Sequence, residues 1–233
     1  MADPGWIIYA CRTSFAVEVA EAIWRRGEEV ALLVDNLEGD GDPQAAADPP
    51  AAEIDAPVVR PAELSPEQRE LSAVVPLITP GHRFAVEAEA RGVGVTSFPA
   101  LVDPTAVVAR TTTVGEGSVV NAGAVLGAET TLGRFVHVNR SASVGHHNVI
   151  EDYATLGPGC LLAGSVRIGR GAFVGAGAVC APEVGIGPDA LVGTGAVVVR
   201  DVPAEAVVVG NPARLVREGA GGYGGVTVPE ATS

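Results

Sequence analysis

A six-residue period runs through the second half of the chain and constrains its fold more than any other feature. From Val108 to Val198, every sixth residue is a branched aliphatic except Cys180, and no insertion breaks the register. Glycine often follows the aliphatic residue, and a small residue often stands two positions before it. This period fits neither an α-helix nor the two-residue alternation of a long strand. It predicts short strands joined by tight corners, with the aliphatic side chains pointing inward.

Stacked coils follow from this period. If three hexads close a triangular coil, residues 18 positions apart stack at the ~4.8 Å spacing of neighbouring strands. Residues 108–200 then form roughly five coils, or about 25 Å of parallel β-helix. We expect the glycine after each aliphatic residue to supply the backbone freedom that a corner needs.

The first hundred residues have a different pattern, in which short apolar stretches alternate with helical spacing. The expected elements are strands at 6–10, 30–35, 58–59 and 73–78, and helices at 14–26 and 80–91, the first with Ser14 as its candidate N-cap. Residues 37–56, rich in Ala, Pro, Asp and Gly, are predicted to form a mobile loop. The alternation predicts a small parallel sheet of Rossmann type.

The turn after the first strand bears on whether this sheet binds a dinucleotide. Phosphate-binding turns of this kind contain glycines, which let backbone N–H groups approach the anion. Here the turn is ACRTS at 10–14, without glycine. Arg12, Thr13 and Ser14 could still hold an anionic substrate group, and Asp35 after the second strand could accept a hydrogen bond from a ribose or base. A strand-end acid without a ligand is an equal alternative for Asp35.

Composition excludes several functional classes. The formal net charge of −13 argues against nucleic-acid binding, which needs clustered Lys and Arg. Cysteines at 11, 160 and 180 form neither an even disulfide set nor a metal-ligand pattern, so we expect reduced thiols, no bound metal and a cytoplasmic location. No apolar run reaches the length of a membrane span, so no membrane partner is expected.

Three segments carry a resemblance to a known family. They are NRSASVGHH at 139–147, AGSVRIG at 163–169 and VGNPAR at 209–214. With the Rossmann-like part before the repeat, they resemble the hexapeptide-repeat sugar O- and N-acetyltransferases, a group that includes sialic-acid O-acetyltransferases and UDP-amino-sugar N-acetyltransferases. The resemblance, which covers about residues 5–217, implies a Rossmann-like acceptor-binding domain at 1–100 and a left-handed β-helix acyltransferase domain at 101–217. Residues 218–233 are expected to form a flexible tail. It also implies a homotrimer with active sites in clefts between the β-helices.

The resemblance further implies an acetyl-CoA-dependent transferase whose general base is the histidine of a His-Asp or His-Glu pair. That histidine matches His146, and His147 stands where the family has the acid. The family's glycine that donates its amide to the acetyl carbonyl matches Gly164, 18 positions later. Asn139 is an expected acceptor contact, and Thr155 occupies the place of a second histidine in several relatives.

Coenzyme A is expected along the column of corner residues that begins at Gly164. Pro182 and Arg200 continue that column at steps of 18, and Pro212 and Arg214 belong to the terminal motif. Arg200 or Arg214 could meet the phosphates of the cofactor, although a solvated salt bridge is the alternative for each.

The sequence does not identify the molecule that accepts the acetyl group. An amine or hydroxyl of a small molecule is expected, either on an amino sugar, with or without a nucleotide, or on a non-sugar amine. A non-catalytic trimeric scaffold is a second class of function. A zinc-dependent γ-type carbonic anhydrase shares the β-helix, but the spacing of His137, His146 and His147 does not suit three ligands on one metal.

Overall fold

A parallel sheet with helices precedes a three-faced β-helix in this computed structural model, which describes residues 5–36 and 53–230. Most of the predicted mobile loop at 37–56 lies outside these residues. The first part contains β1 (Trp6–Tyr9), α1 (Phe15–Arg25), β2 (Val30–Val34), β3 (Val58–Val59), α2 (Pro66–Arg69), β4 (Ser72–Val74) and α3 (Pro80–Gly92). All strand pairs in it are parallel, in the order β3-β2-β1-β4, which confirms the predicted Rossmann-like sheet.

Strand β1 shows why the sheet needs helices on both faces. Trp6 and Ile8 pack with the apolar side of α1, whereas Ile7 and Tyr9 pack in a second cluster that contains Ala90 of α3. Both faces of a parallel sheet are normally covered in this way. No helix within residues 5–36 and 53–230 is both long and apolar enough to cross a bilayer.

Two local features of this part differ from what the sequence analysis expected. The side chain of Ser14 makes no capping hydrogen bond at the start of α1. Instead, the N–H of Phe15 donates to Oγ1 of Thr13 at 3.2 Å. The short helix α2, which Ser65 caps, was not predicted, because a single turn is too short to show a hydrophobic period.

The β-helix has three faces, named here by what their outward side chains meet. The covered face, which lies against the first part, consists of β5 (Leu101–Val102), β8 (Val119–Val120), β11 (His137–Val138), β14 (Thr155–Leu156), β17 (Phe173–Val174), β20 (Leu191–Val192), β22 (Val207–Val209) and β23 (Arg214–Arg217). The apolar face consists of β6 (Val107–Val108), β9 (Val125–Leu126), β12 (Ser143–Val144), β15 (Leu161–Leu162), β18 (Val179–Cys180) and β21 (Val197–Val198). The polar face consists of β7 (Thr113–Val114), β10 (Thr131–Leu132), β13 (Val149–Ile150), β16 (Arg167–Ile168) and β19 (Gly185–Ile186).

The 18-residue step holds over most of this structure. His137 pairs with Thr155, for example, and Val179 with Val197, and the aliphatic residue of each hexad points into the core. After Val198 the step shortens, since Ile186 pairs with a residue only 16 positions later, Val202. Arg200 lies in this shortened corner, between Val198 and Val202, and its place in the column of Gly164 stays a prediction.

The glycines after the inward aliphatics serve a purpose other than the predicted one. Their φ angles are not left-handed; the left-handed residue lies two positions later, as at Gly117 and His147. A Cβ on Gly115 would lie 2.2 Å from the carbonyl oxygen of Gly133 in the next coil. Glycine is needed there because adjacent coils approach closely, not because the backbone is unusual.

A buried arginine joins α3 to the β-helix. Arg83 is 1% exposed, and its guanidinium donates to the carbonyls of Phe135 (2.8 Å) and Tyr153 (2.6 Å) and to Oγ1 of Thr155 (3.0 Å). It also donates to the carbonyl of Leu77. No carboxylate of the described residues pairs with it, and burial lowers the pKa of Arg83. This side chain fixes the first part of the chain against one edge of the β-helix.

The predicted flexible tail at 218–233 is docked rather than free over its described residues. We call residues 219–229 the C-terminal strap. Val228 is 2% exposed, and its N–H donates to the carboxylate of Asp189 at 3.0 Å. Arg170 donates to the carbonyls of Val228 and Pro229. The apolar Val228 and these polar contacts explain why the segment folds back along the β-helix.

We expect Arg83→Met to lower the free energy of unfolding by about 2–4 kcal/mol, because it leaves several buried carbonyls without a donor. Chemical denaturation measures this loss. Arg167→Met is the matched control, since Arg167 is exposed on the polar face and its replacement should change stability by less than about 0.5 kcal/mol. Equal stability of the two variants would contradict the anchoring role of Arg83.

Candidate active site

The imidazole of His146 lies directly over Gly164 at the corner between the apolar and polar faces. A Cβ built on Gly164 would lie 2.6 Å from Cε1 and 2.7 Å from Nε2 of the ring, but 3.2 Å from Nδ1. The ring therefore presents its Nε2 edge to the glycine one coil away. Gly164 is only partly buried, and its N–H donates to no acceptor in the described part of the chain. This corner thus places a basic nitrogen beside a free backbone donor.

His147 stands in the place where the family pattern has an acid, and it contacts His146 directly. Their Nδ1 atoms are 3.0 Å apart, and the two rings meet edge to face at 86°. Both side chains are exposed. His147 has a left-handed φ of 57°, and its N–H donates to the carbonyl of Ala128 in the preceding coil at 2.9 Å. Backbone geometry at the corner therefore holds its ring beside His146.

The next residue, Asn148, fixes both levels of this corner, and it was not singled out from the sequence. It is fully buried; its Nδ2 donates to the carbonyls of Gly145 (2.8 Å) and Ala163 (3.0 Å). Its Oδ1 accepts from the N–H of Val166 at 2.6 Å. These bonds tie the residue before His146 to the residue before Gly164. The only signal in the sequence is a polar side chain at an inward-facing corner position.

A groove of about 240 Å³ lies along the other corner of the apolar face, where the covered face ends. Asn139, Thr155 and Ile78 line one end, and Phe173 and Tyr223 line a wall further along. Stacked glycines form much of its floor, namely Gly157, Gly175 and Gly193. The Thr155 hydroxyl, in the place of the second histidine, donates to the carbonyl of Ile78 at 2.7 Å. Asn139 uses its Oδ1 to accept from the N–H of Arg140 at 2.8 Å, which leaves its Nδ2 for a ligand.

A second cavity, of about 670 Å³, opens beyond the carboxyl end of β2. Asp35, Arg60 and Glu89 line it. The Asp35 carboxylate is nearly buried and pairs with Arg12 at 2.8 Å and with Arg60 at 3.5 Å. Asp35 is therefore neutralised by two arginines in this conformation, while Thr13 and Ser14 lie at the start of α1.

The residues predicted for coenzyme A are spread over two regions. Pro182 is exposed one coil beyond Gly164 at the same corner. Arg200 lies at the corner of the last coil that is two residues shorter than the others. Pro212 and Arg214 follow that coil, outside the hexad repeat. Arg214 is exposed and donates to the carbonyl of Ala213 at 3.0 Å. None of these residues lines either of the two cavities described above.

The remaining histidine of the repeat and the cysteines have structural roles. His137 is 1% exposed, contacts Asn121 at 3.1 Å and packs edge-on against Phe15. Burial, followed by the charge of Arg83, lowers the pKa of His137 to about 3. The thiols of Cys160 and Cys180 point into the core as predicted, and burial raises the pKa of each to about 12. The part of the chain that the structure describes contains no cluster of metal-ligating side chains.

Comparison with known proteins identifies close structural relatives. The family described as bacterial transferase hexapeptide (six repeats) matches residues 149–182, and no protein among the curated ones matches the chain. The perosamine N-acetyltransferase PerB from Caulobacter crescentus, in complex with CoA and GDP-perosamine, is 33% identical with a TM-score of 0.80, over 93% of this chain and 99% of that one. The overlap includes both the sheet and the β-helix, and it confirms the left-handed winding.

Two further structures extend this similarity. The acetyltransferase domain of PglB from Neisseria gonorrhoeae, in complex with acetyl coenzyme A, is 28% identical with a TM-score of 0.78, over 92% of this chain and 100% of that one. WeeI from Acinetobacter baumannii is 26% identical with a TM-score of 0.69, over 91% and 99%.

We expect Gly164→Ala to displace the imidazole of His146 without unfolding the protein. The added methyl group would overlap the ring, whereas φ at this position suits any residue. NMR of the His146 ring protons should show a changed environment, and the melting temperature should stay within a few degrees. Gly92→Ala, at the end of α3 with open space around it, is the control. An unchanged His146 signal in Gly164→Ala would contradict the stacking described here.

Proposed function

The chain belongs to the hexapeptide-repeat family of acetyl-CoA-dependent sugar acetyltransferases, and on this premise we propose that it acetylates the amine of a nucleotide-linked amino sugar, with His146 as general base. The observation that carries the proposal is the imidazole of His146 placed over the free amide of Gly164. The amino-sugar acceptor is proposed because PerB was solved with CoA and GDP-perosamine.

Direct attack on the thioester requires a base and an oxyanion donor. As the amine nitrogen bonds to the acetyl carbon, Nε2 of His146 takes the amine proton; imidazole can do so at neutral pH. The oxyanion that forms accepts a hydrogen bond from the Gly164 N–H, a contribution worth roughly 3 kcal/mol in comparable sites. The carbon–sulfur bond then breaks, and the proton on His146 passes to the leaving thiolate. No covalent intermediate on the enzyme is needed.

His147 is the positioning residue for this base. Two neutral imidazoles whose Nδ1 atoms are in contact need one donor and one acceptor. We assign the proton to Nδ1 of His146 and the acceptor role to His147, because that arrangement leaves the lone pair of His146 on Nε2. Nε2 is also the ring nitrogen closer to Gly164.

A second copy of the chain completes the site. The base and the groove flank opposite edges of the apolar face, so they cannot meet within one chain. The apolar face carries outward Val107, Val125 and Leu161, which are 63%, 40% and 45% exposed. Packing this face around a threefold axis buries these residues. It also brings the His146 corner of one protomer to the groove of the next.

In this assembly, the acetyl-donor site and the expected acceptor contact Asn139 lie at the same level along the threefold axis. With the threefold axis parallel to the β-helix, equal coils of different protomers lie at equal height. His146 and Asn139 belong to the same coil, so the acetyl group would lie between His146 of one protomer and Asn139 of its partner. The pantetheine arm would then extend past Pro182 on one side and along the glycine-floored groove on the other, with Arg200 or Arg214 toward the phosphates.

The first part of the chain supplies the acceptor site. Asp35 and Arg60 line its cavity beyond β2, and Arg12 pairs with the same Asp35 carboxylate, so two cations share one anion. This cluster, with Thr13 and Ser14, offers donors for the phosphates or ribose of a nucleotide sugar. The hydroxyl of a sugar or a non-sugar amine remains the competing acceptor, and a panel of acceptors distinguishes them.

We expect His146→Ala to lower kcat for acetyl transfer by roughly 10²–10⁴-fold, because the variant lacks the general base. His147→Ala should cost less, about tenfold, because the base remains but loses its orientation. Release of free thiol from acetyl-CoA, measured with nucleotide-linked amino sugars as acceptors, gives both values.

His82→Ala is the matched control, since His82 is exposed on α3 and lines neither cavity, so its loss should leave kcat unchanged. Substantial activity in His146→Ala would contradict the assignment of His146 as the general base. A protein that binds CoA but acetylates none of the sugars, with a non-sugar amine as its best acceptor, would overturn the proposed substrate class. A lack of CoA binding would favour a scaffold.

We expect Leu161→Glu to dissociate the trimer and abolish acetyl transfer, since it places a charge at the centre of the buried apolar face. Sedimentation equilibrium measures the assembly. Thr131→Glu adds the same charge at an exposed position on the polar face and should leave both the mass and the activity unchanged. A trimeric Leu161→Glu variant would exclude the apolar face as the interface.

A further inference from the structure

The C-terminal strap forms a wall of the groove next to the apolar face. Tyr223 lies flat on Phe173, with ring centroids 3.8 Å apart and planes within 9° of each other. Both rings line the groove. Phe173 stands one coil after Thr155, on the side toward which the groove continues. The strap thus adds to the groove a side chain that the six-residue repeat itself does not supply.

Several independent contacts hold the strap in this position. Near its start, the N–H of Ala220 donates to the carbonyl of Glu205 at 2.9 Å. At its end, Val228 packs into the apolar cluster beneath α3 and bonds to Asp189. Between them, Val226 packs closely on Gly81 in the first turn of α3. The ring of Tyr223 is therefore fixed from both ends.

A tight glycine turn delivers Tyr223 to the groove. Gly222 has a left-handed φ of 80°, and a Cβ on it would lie 2.4 Å from the carbonyl oxygen of Val226. Gly225 donates back to the carbonyl of Gly222 at 3.2 Å. A residue with a side chain at 222 would force the turn open. The strap therefore needs glycine at position 222 to adopt this conformation.

We propose that the C-terminal strap is part of the acyl-donor site and that Tyr223 packs against the pantetheine arm of coenzyme A, an inference that rests on the proposed function. The thioester lies at the level of His146 and Gly164, and the arm leaves it toward the coil of Pro182. Phe173 belongs to that same coil of the partner protomer. A slim chain of amides and methylenes fits between a glycine floor and a flat aromatic wall.

The proposal makes donor affinity depend on a segment outside the repeat. The ring of Tyr223, and not its hydroxyl, supplies the contact, because stacking on Phe173 presents its flat apolar surface. Acceptor binding should not depend on it, since the cavity beyond β2 does not include the strap.

Calorimetric titration of the full-length trimer with coenzyme A tests this directly, without acceptor or turnover. Tyr223→Ala should raise Kd by about tenfold, and Tyr223→Phe should stay within about twofold of the unmodified protein. Gly222→Ala should weaken binding in the same way, because it displaces the turn while keeping the ring. Thr227→Ala, an exposed change in the same segment outside the groove, should have no effect.

Hydrogen exchange on the unmodified protein gives a second measurement that does not rely on a variant folding. Coenzyme A should slow amide exchange in residues 219–226. The inference would be overturned if Tyr223→Ala bound coenzyme A with an unchanged Kd, or if coenzyme A did not change the exchange rate of the strap amides. Either result would leave the proposal of His146-dependent acetyl transfer intact. If the unmodified trimer did not bind coenzyme A, the proposed function and this inference would fall together.

Discussion

The stacking of each coil on the next, with partners 18 residues apart, is the constraint on which the rest of this molecule depends. Backbone hydrogen bonds between coils hold equivalent corners one above another, and glycine lets them approach because any Cβ would strike the next coil, as at Gly115. The same ladder brings His146 over Gly164. A repeat that serves stability therefore also fixes the distance between the imidazole of His146 and the Gly164 N–H, the proposed base and oxyanion donor.

The three faces of the β-helix have different environments. One face is covered by the first part of the chain, held by Arg83, and one carries outward threonine and arginine in contact with solvent. The third exposes valine and leucine, and its two edges carry the proposed base and the groove. A monomer leaves this apolar surface in water. In the proposed trimer the same surface is buried and the two halves of the site meet, so assembly and activity are expected to depend on each other.

The repeat could be predicted from sequence almost residue by residue, because the position of each inward aliphatic residue depends only on its own hexad. The pairing of His146 with Gly164 was implied by the family resemblance and agrees with the same 18-residue step. Contacts between distant segments could not be predicted in this way. Arg83 bonds to backbone carbonyls, which leave no trace in sequence. The strap lies outside the six-residue repeat, so its docking through Val226 and Val228 had no periodic signal. The two-residue deletion at the corner of Arg200 could not be predicted either, because a count by eighteen does not show it.

The replacement of an acid by His147 changes how the base is held. A carboxylate would fix the Nδ1 proton of His146 by charge and would also stabilise the imidazolium that forms during attack. A neutral imidazole can accept the same hydrogen bond but offers no such charge, so its contribution is mostly orientation. In the proposed mechanism, more of the transition-state stabilisation comes from the oxyanion side, where the Gly164 amide is held by the buried bonds of Asn148.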